Sequence, residues 1–253
     1  MKIRAWAIGG FDPSGGAGVL ADVMAFDALG VPAAALVTSL TAQNSREFLA
    51  RRALPPAWLR RQAEGLLREG LPRVVKVGML GSAAMAREVA RLLEELDRVL
   101  LVLDPVLRAS AGPPLLDGAG LRVLRDRLIP RATLLKPNRR EAEVILGQRL
   151  PDTESVRRAA HALVRMGARA AIITTGDDAG RPRDFLVDAS GEVTYAAPRI
   201  PVQARGTGCR FTSGIAAGLA RGLSLRSAVV LARRTVRAYL RKTLLSRGRR
   251  FEP

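Results

Sequence analysis

The chain has 253 residues, 48% of them hydrophobic, which allows a large core and excludes a disordered chain. Its one cysteine, Cys209, rules out an intramolecular disulfide, and with a single histidine, His161, it also rules out Cys/His zinc patterns. The formal charge of +18 raises the question of nucleic acid, but aromatics make up only 4% and the basic residues are spread along the chain, so no nucleic-acid partner is expected.

Residues 4–8 read as a strand and residues 18–29 as a helix closed by Gly30. A second strand is expected over 32–40, then a helix over 57–69 ending at Gly70. Residues 74–77 form a strand, 82–96 a helix, and 99–103 an aliphatic strand that meets Asp104-Pro105. The pattern then gives a helix over 119–128, a short strand over 133–135 and helices over 140–146 and 153–166. A strand over 170–174 precedes a hairpin, 185–187 with 193–196, around Ser190-Gly191. Two helices, 208–221 and 225–243, close the chain. No apolar run reaches the roughly 18 residues of a membrane helix. The N-terminus enters a glycine-rich loop too soon for a signal peptide. A cytoplasmic protein with no membrane partner is expected.

Unbroken Val/Ile/Leu strands alternating with helices predict an α/β fold: a mostly parallel sheet covered on both faces. The alternation runs without a linker, so one domain over 1–253 is expected, with a basic tail at about 245–253. Ligands in such sheets sit at the carboxyl ends of the strands.

Three sequence features lie at those ends. The first is residues 9–18, with five glycines in ten positions directly after the first strand. Glycines let backbone approach a ligand, and the following helix offers free N–H groups. The spacing is neither a dinucleotide fingerprint nor a Walker A loop. The second is Gly206-Thr207-Gly208-Cys209, which opens a helix rich in small residues. Its amides could hold a migrating phosphoryl group. Cys209 at the positive end of that helix is expected to have a lowered pKa and to suit the role of base; the alternative is a small buried cysteine. The third is Asp104 at a strand end, with Asn138 and Glu141 three residues apart after the next strand. These oxygens could hold Mg²⁺ against nucleotide phosphates, or Asn138 and Glu141 could form a capping box. Lys136 precedes them, a lysine in a chain where all but four of the 41 basic residues are arginine. It could be chosen for its compact charge, or be random usage. His161 reads as structural.

Taken in order, these segments resemble the hydroxymethylpyrimidine kinases of thiamine biosynthesis, within the ribokinase-like superfamily. Residues 10–21 followed by Asp22 match that family's opening signature, and residues 38–45 its second. Lys76-Val77-Gly78-Met79-Leu80, Asp104-Pro105-Val106, Pro137-Asn138-x-x-Glu141-Ala142 and residues 206–209 complete the match over most of the chain. The resemblance implies a three-layer αβα sandwich, usually a homodimer. It implies MgATP-dependent phosphorylation of the hydroxymethyl group of 4-amino-5-hydroxymethyl-2-methylpyrimidine, then of its monophosphate. By position it implies that Gln43 bonds the pyrimidine edge, that Asp22, Gly9 and Gly10 line the substrate pocket, and that Met79 packs on the ring. Cys209 would be the base, with Gly206, Thr207 and Gly208 as the anion hole. Asp104 and Glu141 would govern Mg²⁺, and ATP would meet Lys136, Asn138, Thr175, Gly176 and Arg210. The nearest alternative is a pyridoxal kinase of the same superfamily. A sugar kinase is less favoured, since those use Asp at the position of Cys209. From another class comes a weakly catalytic pyrimidine-binding protein.

Four departures fall on the nucleotide side. Thr175-Gly176-Asp177-Asp178 stands where the family usually has Lys-Gly-Gly-His, and Ala204-Arg205 where it has Thr-His. Arg210 replaces a small hydroxyl residue, and Arg108-Ala109-Ser110 stands for Ala-Lys-Ser. Arg210, Lys136 or Arg205 is expected to replace the missing lysine charge.

Overall fold

The computed structural model describes residues 3–44, 46–108, 113–176 and 181–248, with side chains to 246. Ser45, Ala109, Ser110, Asp177, Asp178 and the tail beyond 248 lie outside the described residues. Nine strands form one sheet in the order β3-β2-β1-β4-β5-β6-β7-β8-β9. They are β1 (Ala5–Phe11), β2 (Ala33–Gln43), β3 (Phe48–Ala53), β4 (Val74–Val77), β5 (Leu100–Leu103), β6 (Leu134–Leu135), β7 (Ala171–Thr174), β8 (Arg183–Asp188) and β9 (Gly191–Ala196). The six strands from β2 to β7 run parallel. β3 at one edge, and β8 and β9 at the other, are antiparallel additions.

Side-chain alternation along the strands builds two cores. Trp6, Ile8, Val75 and Val77 point to one face, where they meet α2 (Pro56–Leu67), α3 (Ala83–Glu95), α5 (Arg139–Leu146) and α6 (Thr153–Arg165). Ala5, Ala7, Val74 and Val102 point to the other, against α1 (Gly18–Asp27), α7 (Thr207–Ala220) and α8 (Leu225–Gly248). Burial on both faces is why these strands read as aliphatic runs. Among the described residues no helix is long and apolar enough to cross a membrane.

The structure corrects the element reading in two places. β3 was not expected. Four of its six residues are exposed, so no apolar alternation marks it; pairing with β2 creates it. The helix expected over 119–128 is α4 (Gly118–Val123) followed by a wide turn over Leu124–Leu128, and a tight turn over Ile129–Arg131 contains Pro130.

Candidate active site

β1 has β2 on one side and β4 on the other, so chain order reverses at its carboxyl end. A crevice opens at such a switch point. Here it is a cleft of about 920 Å³, bordered by Gly10, Gln43, Met79, Asp104, Glu141 and Cys209. Residues 9–18 and the start of α7, nearly 200 positions apart in sequence, meet across it. Gly18 and Gly206 explain how they come so close. Both have positive φ, 61° and 68°. A Cβ on Gly18 would lie 2.2 Å from the Gly10 carbonyl oxygen, and one on Gly206 would lie 2.0 Å from that of Gly16. Only glycine fits either place.

The loop after β1 is organised by Asp12, which is 1% exposed. Its Oδ1 accepts from the Ser14 amide (3.0 Å) and hydroxyl (2.7 Å), and its Oδ2 from the Ala17 amide (2.9 Å). These local bonds hold the loop without regular structure. Arg205, just ahead of α7, reaches Asp12 Oδ2 at 3.3 Å and also donates to Gln43 Oε1 and the Asn44 carbonyl. Gln43 Nε2 donates to Thr41 Oγ1 at 2.9 Å. Thr38 Oγ1 donates to the Met79 carbonyl at 2.6 Å, which ties the turn after β4 to β2.

Beneath the cleft lies a buried ionic centre. Lys76 Nζ is 2.8 Å from Asp22 Oδ2, and Ser213 Oγ donates to Asp22 Oδ1 at 2.8 Å. Lys76 and Asp22 are 1% and 0% exposed. Burial pushes the Asp22 carboxyl up, against the pull of Lys76 and Ser213. Burial opposes the Lys76 charge, but Asp22, Cys209 and Asp104 together outweigh it and hold the ammonium's pKa above the usual lysine value. Lys136 Nζ lies 3.0 Å from Asp104 Oδ1. Burial again opposes the cation, and Asp104 and Glu141 hold its pKa above the usual lysine value. Thr212 Oγ1 lies 3.1 Å from Asp104 Oδ2, so α7 touches both pairs.

Asn138 and Glu141 form a capping box. Asn138 Oδ1 accepts from the Glu141 amide at 2.9 Å, and Glu141 Oε2 from the Asn138 amide at 2.8 Å. The capping reading is therefore realised, and Glu141 still borders the cleft. Burial pushes its carboxyl up to about 8, opposed by Lys136. Asp104 and Glu141 are hard oxygen donors beside open space. That suits Mg²⁺, which keeps several waters and takes one or two carboxylates plus phosphates. Among the described residues no group of three or more His, Cys, Asp or Glu could hold a metal by protein ligands alone.

Residues 12–253 match the family model described as phosphomethylpyrimidine kinase. The chain belongs to that family. It is 39% identical over 230 residues to a hydroxymethylpyrimidine/phosphomethylpyrimidine kinase of Streptomyces coelicolor, covering 90% of this chain and 85% of that one. It is also 39% identical over 236 residues to a thiamine biosynthesis bifunctional protein of Geobacter sulfurreducens, covering 92% of this chain but 48% of that longer one. A crystal structure of phosphomethylpyrimidine kinase from Clostridium difficile superposes with a TM-score of 0.84 at 30% identity, covering 94% of this chain and all of that one. The pyridoxal kinase of Staphylococcus aureus, solved with AMP-PCP and pyridoxal, has the same TM-score at 26% identity, over 93% of this chain and 87% of that one. The fold is thus that of the ribokinase-like kinases, as expected.

Within this member of the family, four expectations about the site need correction. Asp22 does not border the cleft; it is sealed behind it by Lys76 and Ser213. Thr175 does not border it either, because its hydroxyl bonds the Arg183 backbone and ties β7 to β8. Arg210 turns away: its Nη1 donates to the Gly16 carbonyl at 3.1 Å and its Cζ lies 4.2 Å from the Tyr239 ring centroid. Lys136 and Arg205 do border the cleft, as do Asn138, Gly176 and residues 206–209. The fourth correction concerns Cys209. Burial pushes its thiol up to about 11, although Lys76 and the Gly18 amide favour the thiolate. The expected lowering by the helix start is outweighed. His161 sits on the surface of α6, with Nε2 2.9 Å from Glu192 Oε2.

Sequence reading assigned no role to Asp12, Lys76 or Thr212. Lys76 carried a usable signal: a charge in the middle of the strand Val-Val-Lys-Val is affordable only with a buried partner.

Proposed function

We propose that this chain transfers the γ-phosphoryl group of ATP to the hydroxymethyl group of 4-amino-5-hydroxymethyl-2-methylpyrimidine, and then to the resulting monophosphate. One observation carries the reading. Gln43, Met79, residues 206–208 and Cys209 all border a single cleft. The ring fits beside Gln43 and Met79, with its alcohol directed to Cys209. The amides at the start of α7 face the phosphoryl group, and the Lys76 and Lys136 charges lie nearby. Such preorganised donors can each be worth about a hundredfold in rate. ATP occupies the end bordered by Arg233, Arg237 and Tyr239 of α8. Asp104 and Glu141 would hold Mg²⁺, which would supply neutralisation of charge on the phosphates.

Cys209 accepts the alcohol proton. Its ionised fraction at neutral pH is small. In a loose phosphoryl-transfer transition state little bonding to the attacking oxygen has developed, so the proton leaves late and positioning carries more of the acceleration than base strength. The protein acts in the cytoplasm as a homodimer; the family resemblance supports this.

A coupled ADP-release assay over a panel of hydroxymethyl heterocycles, pyridoxal included, tests the proposal. Turnover is expected with the aminopyrimidine alcohol and is expected to fall in Cys209→Ala. ADP release with pyridoxal alone would overturn the substrate assignment. An unchanged rate in Cys209→Ala would remove the cysteine from the mechanism.

A further inference from the structure

The amide of Gln43 could in principle point either way, because its oxygen and nitrogen ends are nearly the same size. Two neighbours decide between them. Arg205 has only donors, so the end it touches must be the carbonyl oxygen. Thr41 Oγ1 donates its one hydrogen to the Phe11 carbonyl at 2.9 Å, so toward Gln43 it is an acceptor and the amide nitrogen must face it. Arg205 is itself anchored. Asp12 Oδ2 lies 3.3 Å from its Nη2, its Nη1 donates to the Asn44 carbonyl, and its own carbonyl accepts from the Tyr239 hydroxyl at 3.3 Å.

With those bonds made, Gln43 keeps one oxygen lone pair and one N–H. It borders the cleft. A 4-aminopyrimidine presents the complement, an amino N–H beside a ring nitrogen acceptor. A 4-oxopyrimidine presents the reverse, a carbonyl beside a ring N–H. Resting on the aminopyrimidine reading above, we infer that Arg205 is a specificity-determining positioning residue. Anchored on Asp12, it fixes the polarity with which Gln43 reads the ring, so that the amino form is accepted and the oxo form is not. Without Arg205, the carbonyl end of Gln43 loses its obligatory donor, and the amide can reverse once the Thr41 hydroxyl turns from the Phe11 carbonyl to donate to it.

Isothermal titration without nucleotide, backed by kcat and KM, tests this with two alcohols that differ only in a 4-amino or 4-oxo group. Wild type is expected to prefer the amino form. Arg205→Ala is expected to lose about tenfold or more of that preference, read as the amino-to-oxo ratio of Kd and of KM. Arg205→Lys, still a pure donor, is expected to keep most of it. If Arg205→Ala does not fold, Arg205→Gln serves, since its amide can donate or accept and is expected to relax the preference. Wild-type turnover of neither alcohol removes this inference together with the functional reading. A wild-type preference that Gln43→Ala abolishes and every Arg205 variant retains overturns the inference alone.

Discussion

Opposing effects act on the Cys209 thiol. Its place at the start of α7 argues for a low pKa, while its surroundings argue for a high one. Burial disfavours the thiolate, Lys76 and the Gly18 amide favour it, and Asp22 and Asp104 disfavour it again; the balance is a thiol at about 11, against 9.0 for an ordinary cysteine. Two pH units correspond to roughly a hundredfold less thiolate at neutral pH. Only the thiolate is alkylated. Cys209 is the only cysteine, so mass increase on treatment with iodoacetamide reports it without ambiguity.

Access and ionisation must be kept apart, because the side chain is half-buried. The shape of the pH profile does this. Restricted access scales every rate alike, whereas ionisation sets where the curve bends. The alkylation rate is expected to rise about tenfold per pH unit from 7 to 10 with no plateau. A plateau beginning at or below pH 9 would refute the claim that burial outweighs the helix start and Lys76. The linked effect on folding has a definite sign. Between 9 and 11 the folded state holds the thiol proton more tightly than the unfolded chain, so stability falls as pH rises through that window.

Lys76→Met leaves Asp22 buried without its cation and is expected to cost about 3–5 kcal/mol in urea unfolding. Adding Asp22→Asn should restore most of that loss, and a strictly additive double mutant would deny the coupling. Gly206→Ala forces a Cβ to within 2.0 Å of the Gly16 carbonyl oxygen and is expected to cost at least about 1 kcal/mol and most of the turnover. Wild-type melting and kinetics in that variant would show that the contact across the cleft is not tight.

Much of the fold was legible because β1, β4, β5, β6 and β7 are buried on both faces and leave aliphatic runs in the sequence. β3 left no such trace, since its exposed residues match neither a strand nor a helix period. At the site, the spacing of Asn138 and Glu141 was legible, but spacing alone does not separate a cap from a cation ligand. The structure realises the cap, with Glu141 Oε2 accepting from the Asn138 amide, and the same carboxylate borders the cleft. The Cys209 expectation failed for a different reason. Helix position is visible in sequence, whereas burial is a property of the whole packed site, and burial is the larger effect here. Arg205 is the extreme case: its bonds to Asp12, Gln43 and Asn44 span more than 160 positions, and no local pattern encodes them.

The net charge of +18 acquires a different meaning once these contacts are known. Lys76 holds Asp22, Lys136 holds Asp104, and Arg205 holds Asp12. Each pair also meets the segment around the start of α7, through Ser213, Thr212 and Arg205 itself. These three cations are therefore structural first: they draw the two halves of the chain together at the cleft. In the proposed reaction a phosphate entering there would compete with carboxylates already in place, so its binding would depend on exchange of partners at this segment more than on the sum of the charge. The surplus arginines elsewhere can raise the local concentration of anions, but they cannot supply the geometry.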